Sequence, residues 1–291
     1  MLNTLKHIFL SLRPRQWTKN LLILAPLIFS TNLFNGKMLL TALEGFMVFC
    51  IISGSVYIMN DLTDLESDKK HPVKKLRPVA SGRLSANAAR IAGFILVAGG
   101  LSWAFSIKNT FGIVVLLYLF LQILYSYRLK SIAILDIIII AFGFVLRVVA
   151  GAKIIDVPMS NWLLVCTMFL SLFLATGKRR YEFMSQGKPD SLRSSLKNYS
   201  VKLLDQMITV ATSCTVIAYA LYTLAPETIK KFDTHRLIYT LPFVLYGIFR
   251  YLYLMYKKGK GGSPEDILLS DLPLLFNIFL YAAAVWFIVY K

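Results

Sequence analysis

Residues 39–68 read LLTALEGFMVFCIISGSVYIMNDLTDLESD. The stretch 39–59 is almost unbroken in its apolar character and long enough for a helix to cross the roughly 30 Å hydrocarbon core of a bilayer. It runs straight into Asn60-Asp61-Leu62-Thr63-Asp64-Leu65-Glu66-Ser67-Asp68, which places carboxylates at the mouth of a membrane span. Acidic residues at that depth are costly and tend to be functional.

Working outward, apolar runs of similar length recur at 20–36, 86–106, 111–127, 132–154, 160–177, 205–225, 236–256 and 271–290. The pattern predicts an all-α integral membrane protein with nine transmembrane helices in one domain over 1–291. The run at 20–36 is short and broken by Pro26. Lys6, Arg13, Arg15 and Lys19 precede it as in a signal peptide, but no small-x-small cleavage site follows, so it reads as a retained first helix. Composition agrees: 57% of the 291 residues are hydrophobic and 16% charged, and mean hydropathy is +0.63. An ordinary soluble domain has about 45–50% apolar and about 25% charged residues.

The net charge of +17 does not indicate nucleic acid binding, because the bases sit in gaps between apolar runs. The stretch 60–90 has seven lysines and arginines, 178–204 has seven, 128–130 has two and 257–260 has three. The alternate loops near 37, 108 and 156 are short and nearly neutral. The positive-inside rule then predicts a cytoplasmic N-terminus, with the long basic loops cytoplasmic as well. Cys50, Cys166 and Cys214 lie inside apolar runs without metal-type spacing and read as core residues.

If the second span continues as a helix, Asn60, Asp64 and Asp68 fall at i, i+4 and i+8 with Asp61 beside them. Clustered carboxylates repel, and a hard cation relieves that. Magnesium takes oxygen ligands and commonly bridges a substrate's phosphates through one or two carboxylates. The blander reading is a solvated helix end of mixed charge. Against it, His71-Pro72-Val73-Lys74-Lys75-Leu76-Arg77-Pro78 follows at once and reads as an anion clamp. Arg147 lies in the middle of an apolar run, about eleven residues from Asp136, so it faces a cavity or pairs with an intramembrane carboxylate.

NDLTDLESD followed by RPVASGRLS is similar to the first signature of the intramembrane prenyltransferase (UbiA-type) superfamily. The resemblance covers essentially the whole chain. It implies nine helices around a central cavity and a magnesium ion holding a diphosphate at the cytoplasmic end. Members that use prenyl diphosphates carry a second aspartate-rich motif after helix six, whereas this chain has Gly177-Lys178-Arg179-Arg180-Tyr181-Glu182. That departure, with RPRQWTKN at 13–20, YSYRLK at 125–130 and PEDI at 264–267, resembles the decaprenyl-phosphate phosphoribosyltransferase branch.

The resemblance implies transfer of phosphoribose from phosphoribosyl diphosphate to a polyprenyl phosphate at the cytoplasmic face of the cell membrane. It implies Mg2+ on Asn60 and Asp64, supported by Asp61 and Asp68, with Asp61, Asp64 and Lys74 catalytic. Lys19 and Tyr57 reach the donor, Lys74 and Arg77 lie between the two substrates' phosphates, and Lys130 and Arg147 take the lipid phosphate or the donor's 5-phosphate. Lys178, Arg179 and Tyr181 complete the donor pocket, while Glu182, Glu265 and Asp266 are left without a role. Two other classes stay open: a prenyltransferase acting on an aromatic acceptor, and a transporter or lipid-binding protein. The missing second acidic motif weighs against the first. The clustering of charge at one face weighs against the second.

Overall fold

The computed structural model describes residues 2–185, 194–259 and 261–290; Lys188, Arg193 and Lys260 of the basic loops lie outside the described residues. Among the described residues the regular structure is entirely helical. The α-helices in chain order are α1 Leu2–Ser11, α2 Ala25–Phe29, α3 Gly36–Thr63, α4 Leu65–Lys70, α5 Ala86–Ile107, α6 Asn109–Tyr127 and α7 Leu135–Ile154. They continue as α8 Asn161–Ser185, α9 Val201–Leu224, α10 Pro226–Phe232, α11 Leu241–Lys257, α12 Pro264–Ser270 and α13 Leu272–Val289. Helix starts follow local chemistry: Asn35, Ser85, Ser200 and Asp271 each accept a backbone N–H three residues on, capping α3, α5, α9 and α13.

Eight helices among the described residues are long and apolar enough to cross a membrane: α3, α5, α6, α7, α8, α9, the stretch Arg236–Lys257 containing α11, and α13. They match eight of the nine apolar runs. Many of their large apolar side chains point outward, Phe94, Leu272 and Phe279 among them, as lipid-facing residues do. The chain is a multi-pass membrane protein.

The ninth run is not one helix. Residues Pro14–Leu24 wind as a 3-10 helix, α2 adds five residues, and Thr31 follows at φ 62°. Pro26 has no N–H to donate to Leu22 and stands in the first turn of α2, where an intrahelical partner is missing anyway. An 11-residue 3-10 segment is unusual, since such runs seldom exceed three or four residues.

Contacts group the chain into two compact units, 1–127 with 146–158, and 128–145 with 159–291; α7 is shared between them. The first unit's core packs Ile23, Phe49, Ile52, Ala104, Phe111, Tyr118 and Ile154. A second cluster, Leu12, Ile58, Val79, Leu84 and Ala89, lies under its acidic helix end. In the second unit, Phe173, Ile208, Tyr251, Leu254 and Leu274 form one core and Ile137, Ala175, Leu196 and Leu204 another.

Candidate active site

In the first unit the acidic stretch forms the end of α3 and the whole of α4. The helical bonding barely breaks: Asp64 N–H donates to the Asn60 carbonyl at 2.9 Å, and Asp68 N–H to the Asp64 carbonyl at 2.8 Å. The predicted i, i+4, i+8 alignment therefore holds along the backbone. The side chains divide, however. Asp61 and Asp68 are almost fully buried, whereas Asn60 and Asp64 are half-buried.

The two buried carboxylates share one arginine. Arg77 Nη1 donates to Asp61 Oδ1 at 3.2 Å and to Asp68 Oδ2 at 2.5 Å. Arg13 also donates to Asp61, and its guanidinium lies 4.7 Å from the centre of the Tyr57 ring. Lys74 Nζ is 4.0 Å from Asp68 Oδ1 and largely exposed. Tyr57, Asp61, Asp68, Lys74, Arg77 and Arg13 thus come together at this helix end. Arg13 was readable only as part of a basic stretch, because its partner is 48 residues away. It adopts a left-handed conformation, φ 52° and ψ 66°, that few non-glycine residues take.

The loop from Asp68 to Arg77 is tied by His71, whose Nδ1 accepts the N–H groups of Val73 and Lys74, each at 3.2 Å. Burial, and then the Lys74 charge, hold His71 below the usual imidazole range. Lys69 holds the exposed Glu66 below the usual carboxylate range.

Asn60 Oδ1 is buried and has no hydrogen-bond partner among the described residues. A buried acceptor left open, with the Asp64 carboxylate one turn on, fits an oxygen-seeking cation. No three carboxylate, imidazole or thiolate groups among the described residues are placed to enclose a metal by themselves. A cation here would need water or phosphate oxygens as well, which is how magnesium is usually held.

Lys19 donates to Gln16, one 3-10 turn earlier. Arg147 belongs to a deeper polar cluster of the first unit. It donates from Nε to Asn20 Oδ1 and from Nη2 to the Tyr118 hydroxyl, each at 2.8 Å. Asn20 and Tyr118 are both neutral partners.

Asp136 is engaged within the second unit. Fully buried, it accepts from Arg179 Nε at 2.8 Å, Tyr199 OH at 2.7 Å and Ser195 Oγ at 3.2 Å. Arg179 is 2% exposed and also donates to Glu182. Lys130, in the turn Leu129–Ser131, and Lys178 are half-buried, and Tyr181 is exposed. Arg180 donates to Asp205 Oδ1 at 2.6 Å and lies over the Tyr256 ring.

The sequence profile described as the UbiA prenyltransferase family matches residues 21–265. Among curated relatives, the decaprenyl-phosphate phosphoribosyltransferase of Corynebacterium glutamicum is 34% identical over 90% of this chain and 80% of its own. Its namesake from Mycolicibacterium smegmatis is 33% identical over 98% of this chain and 94% of its own. A solved UbiA homolog from Archaeoglobus fulgidus, bound to GPP and Mg2+, superposes with a TM-score of 0.76 at 18% identity, covering 98% of this chain and 100% of that one. This likeness is one of fold. The profile takes in most of both units, and the chain belongs to the UbiA prenyltransferase family.

Proposed function

We propose that this protein transfers the 5-phosphoribosyl group of phosphoribosyl diphosphate to a polyprenyl phosphate, releasing diphosphate. The observation that carries the reading is the likeness to two decaprenyl-phosphate phosphoribosyltransferases along 90% and 98% of this chain. The site supports it with arginines and a lysine gathered on buried carboxylates at a helix end, an arrangement suited to diphosphate. The basic loops support a cytoplasmic position for this end.

Asn60 and Asp64 would hold Mg2+, with Asp61 and Asp68 supporting the surrounding charge. The bound ion supplies positive charge to the departing diphosphate. The protein's own part is positioning and electrostatics. Asp61 and Asp68 fix Arg77 and Arg13 in place, so these cations need not reorganise as charge develops on the leaving group. Lys74 is exposed beside them and is assigned to the diphosphate, with Tyr57 and Lys19 on the donor's near side. In the second unit Lys130, Lys178 and Tyr181 are assigned to phosphate binding and Arg179 to the same basic group.

At ribose C1 the bond to the diphosphate oxygen breaks as a bond to a lipid phosphate oxygen forms on the opposite face. Positive charge gathers on the ring in between, as in glycoside chemistry, and inversion is expected. A phosphate monoester is already ionised near neutral pH, so no general base is required.

Purified protein given Mg2+, phosphoribosyl diphosphate and polyprenyl phosphate should form lipid-linked phosphoribose. Asp64→Ala should remove turnover. Absence of product with this pair, alongside product from a prenyl diphosphate and an aromatic acceptor, sinks the reading in favour of prenyl transfer.

A further inference from the structure

Asn20 sits on the inner side of the 3-10 segment Pro14–Leu24 and is 1% exposed. Its Nδ2 donates to Ser53 Oγ at 3.1 Å and to Cys50 Sγ at 3.4 Å, both on α3. Those bonds fix which way the amide faces, and its Oδ1 is thereby presented to Arg147 Nε. On its other side the Arg147 guanidinium is held by the Tyr118 hydroxyl and lies 4.7 Å from that ring's centre.

A second observation explains how Asn20 reaches this position. A Cβ at Gly151 would lie 2.0 Å from the Ile23 carbonyl oxygen. Glycine therefore lets the 3-10 segment pack backbone against backbone on α7. Ile23 is one 3-10 turn beyond Asn20, and Gly151 one α-turn beyond Arg147, so a single contact registers both pairs.

An arginine in an apolar span is expensive. Asn20 and Tyr118 are neutral groups whose bonds orient the guanidinium. A planar, pre-aimed fork of N–H donors is what a phosphate group requires. Resting on the transfer reaction above for the identity of the substrates, we propose that Asn20 is a positioning residue for Arg147, and that Arg147 so held binds a phosphate group. Two sources share this chemistry, the acceptor lipid's phosphate and the donor's 5-phosphate.

The experiment compares wild type with Asn20→Leu, Asn20→Asp and Arg147→Met in steady-state assays that vary each substrate in turn, with Tm measured on each protein. Asn20→Leu should raise the KM of one substrate by roughly 10–100-fold, the range expected for hydrogen bonds to charged groups, with kcat changed far less. Asn20→Asp keeps an acceptor against Arg147 and should hold Tm near wild type. It also sets an anion against the guanidinium, so the same KM should rise at least as far. If Arg147 meets no substrate phosphate, the Asp variant keeps normal kinetics. A raised KM for polyprenyl phosphate identifies the lipid as source; a raised KM for phosphoribosyl diphosphate identifies the 5-phosphate. Unchanged KM values for both substrates in Asn20→Asp at wild-type Tm overturn the proposal, whether or not Asn20→Leu folds. Wild type inactive with this pair sinks the transfer reading instead. Inorganic phosphate then serves as probe: it should raise the Tm of wild type but not of Asn20→Asp, and equal shifts overturn the positioning role.

Discussion

Arg77 carries more than its own contact. It bridges Asp61 and Asp68, whose side chains are each 2% exposed. Removing one partner of a buried ion pair commonly costs about 3–5 kcal/mol, because the remaining charge stays desolvated. Arg77→Met should therefore lower Tm by roughly 5–10 °C and abolish turnover. Adding Asp68→Asn to Arg77→Met removes one stranded charge. It should recover part of the Tm and none of the activity, and recovery of both would show that Arg77 acts only in the fold. His71 offers a separate handle, through pH. Its Nδ1 can accept the Val73 and Lys74 N–H groups only when unprotonated. Because its folded pKa lies below the ordinary 6.5, the two bonds are complete above that value and are lost as pH falls from there through the lowered one. Hydrogen-exchange protection at Val73 and Lys74, corrected for intrinsic rate, should drop between about pH 7.5 and pH 5 in wild type. His71→Asn keeps a side-chain acceptor that does not titrate, so its protection should stay flat. A parallel drop in both proteins rules His71 out as the cause.

The turn into α7 shows how an element end is held in the second unit. Ile134 has φ 71°, a conformation that costs a side-chain-bearing residue roughly 1–2 kcal/mol. Its N–H donates to Tyr199 OH at 2.6 Å, and that hydroxyl donates to Asp136. Tyr199→Phe removes both bonds and should lower Tm by about 5 °C. Ile134→Gly, whose own side chain is half exposed, relieves the strain and should return part of that loss in the double variant. No gain on adding Ile134→Gly would mean that the latch does not oppose strain. Such latches are not legible in sequence, since Tyr199 and Ile134 are 65 residues apart. The long helices were legible, because a bilayer leaves an apolar segment few ways to satisfy its backbone. The 3-10 winding of Pro14–Leu24 was not legible, because it is held by tertiary bonds from Asn20 and by the backbone contact at Gly151. The acidic helix end was read correctly in backbone register. The pairing of the buried Asp61 and Asp68 with arginine depends on Arg13 and Arg77, which reach the helix end from elsewhere in the chain.

Over the whole molecule, charge decides which end of the site meets which compartment. The link between α3 and α5 carries Lys69, Lys70, Lys74, Lys75, Arg77 and Arg83, and that between α6 and α7 carries Arg128 and Lys130. The α5–α6 link has Lys108 alone, residues 155–160 have no base, and the α9–α11 link is mixed, with Lys230, Lys231 and Arg236 against Glu227 and Asp233. Helices that alternate across a bilayer put the first pair of links on one side and the second set on the other. The bias in lysine and arginine predicts that the first side is cytoplasmic. The proposed reaction demands the same assignment, because a polyanionic donor does not cross a bilayer and must meet Asn60–Arg77 from the compartment that holds it. The test starts from a protein in which Cys50, Cys166 and Cys214 are replaced by alanine, with single cysteines introduced at Lys75, Met159, Lys230 and Lys258, all exposed positions. In intact cells a membrane-impermeant maleimide should label the variants at 159 and 230 and spare those at 75 and 258. Inverted vesicles should reverse the pattern. Labelling of Lys75→Cys from outside intact cells would place the carboxylate–arginine cluster on the wrong face, and the proposed donor could not reach it.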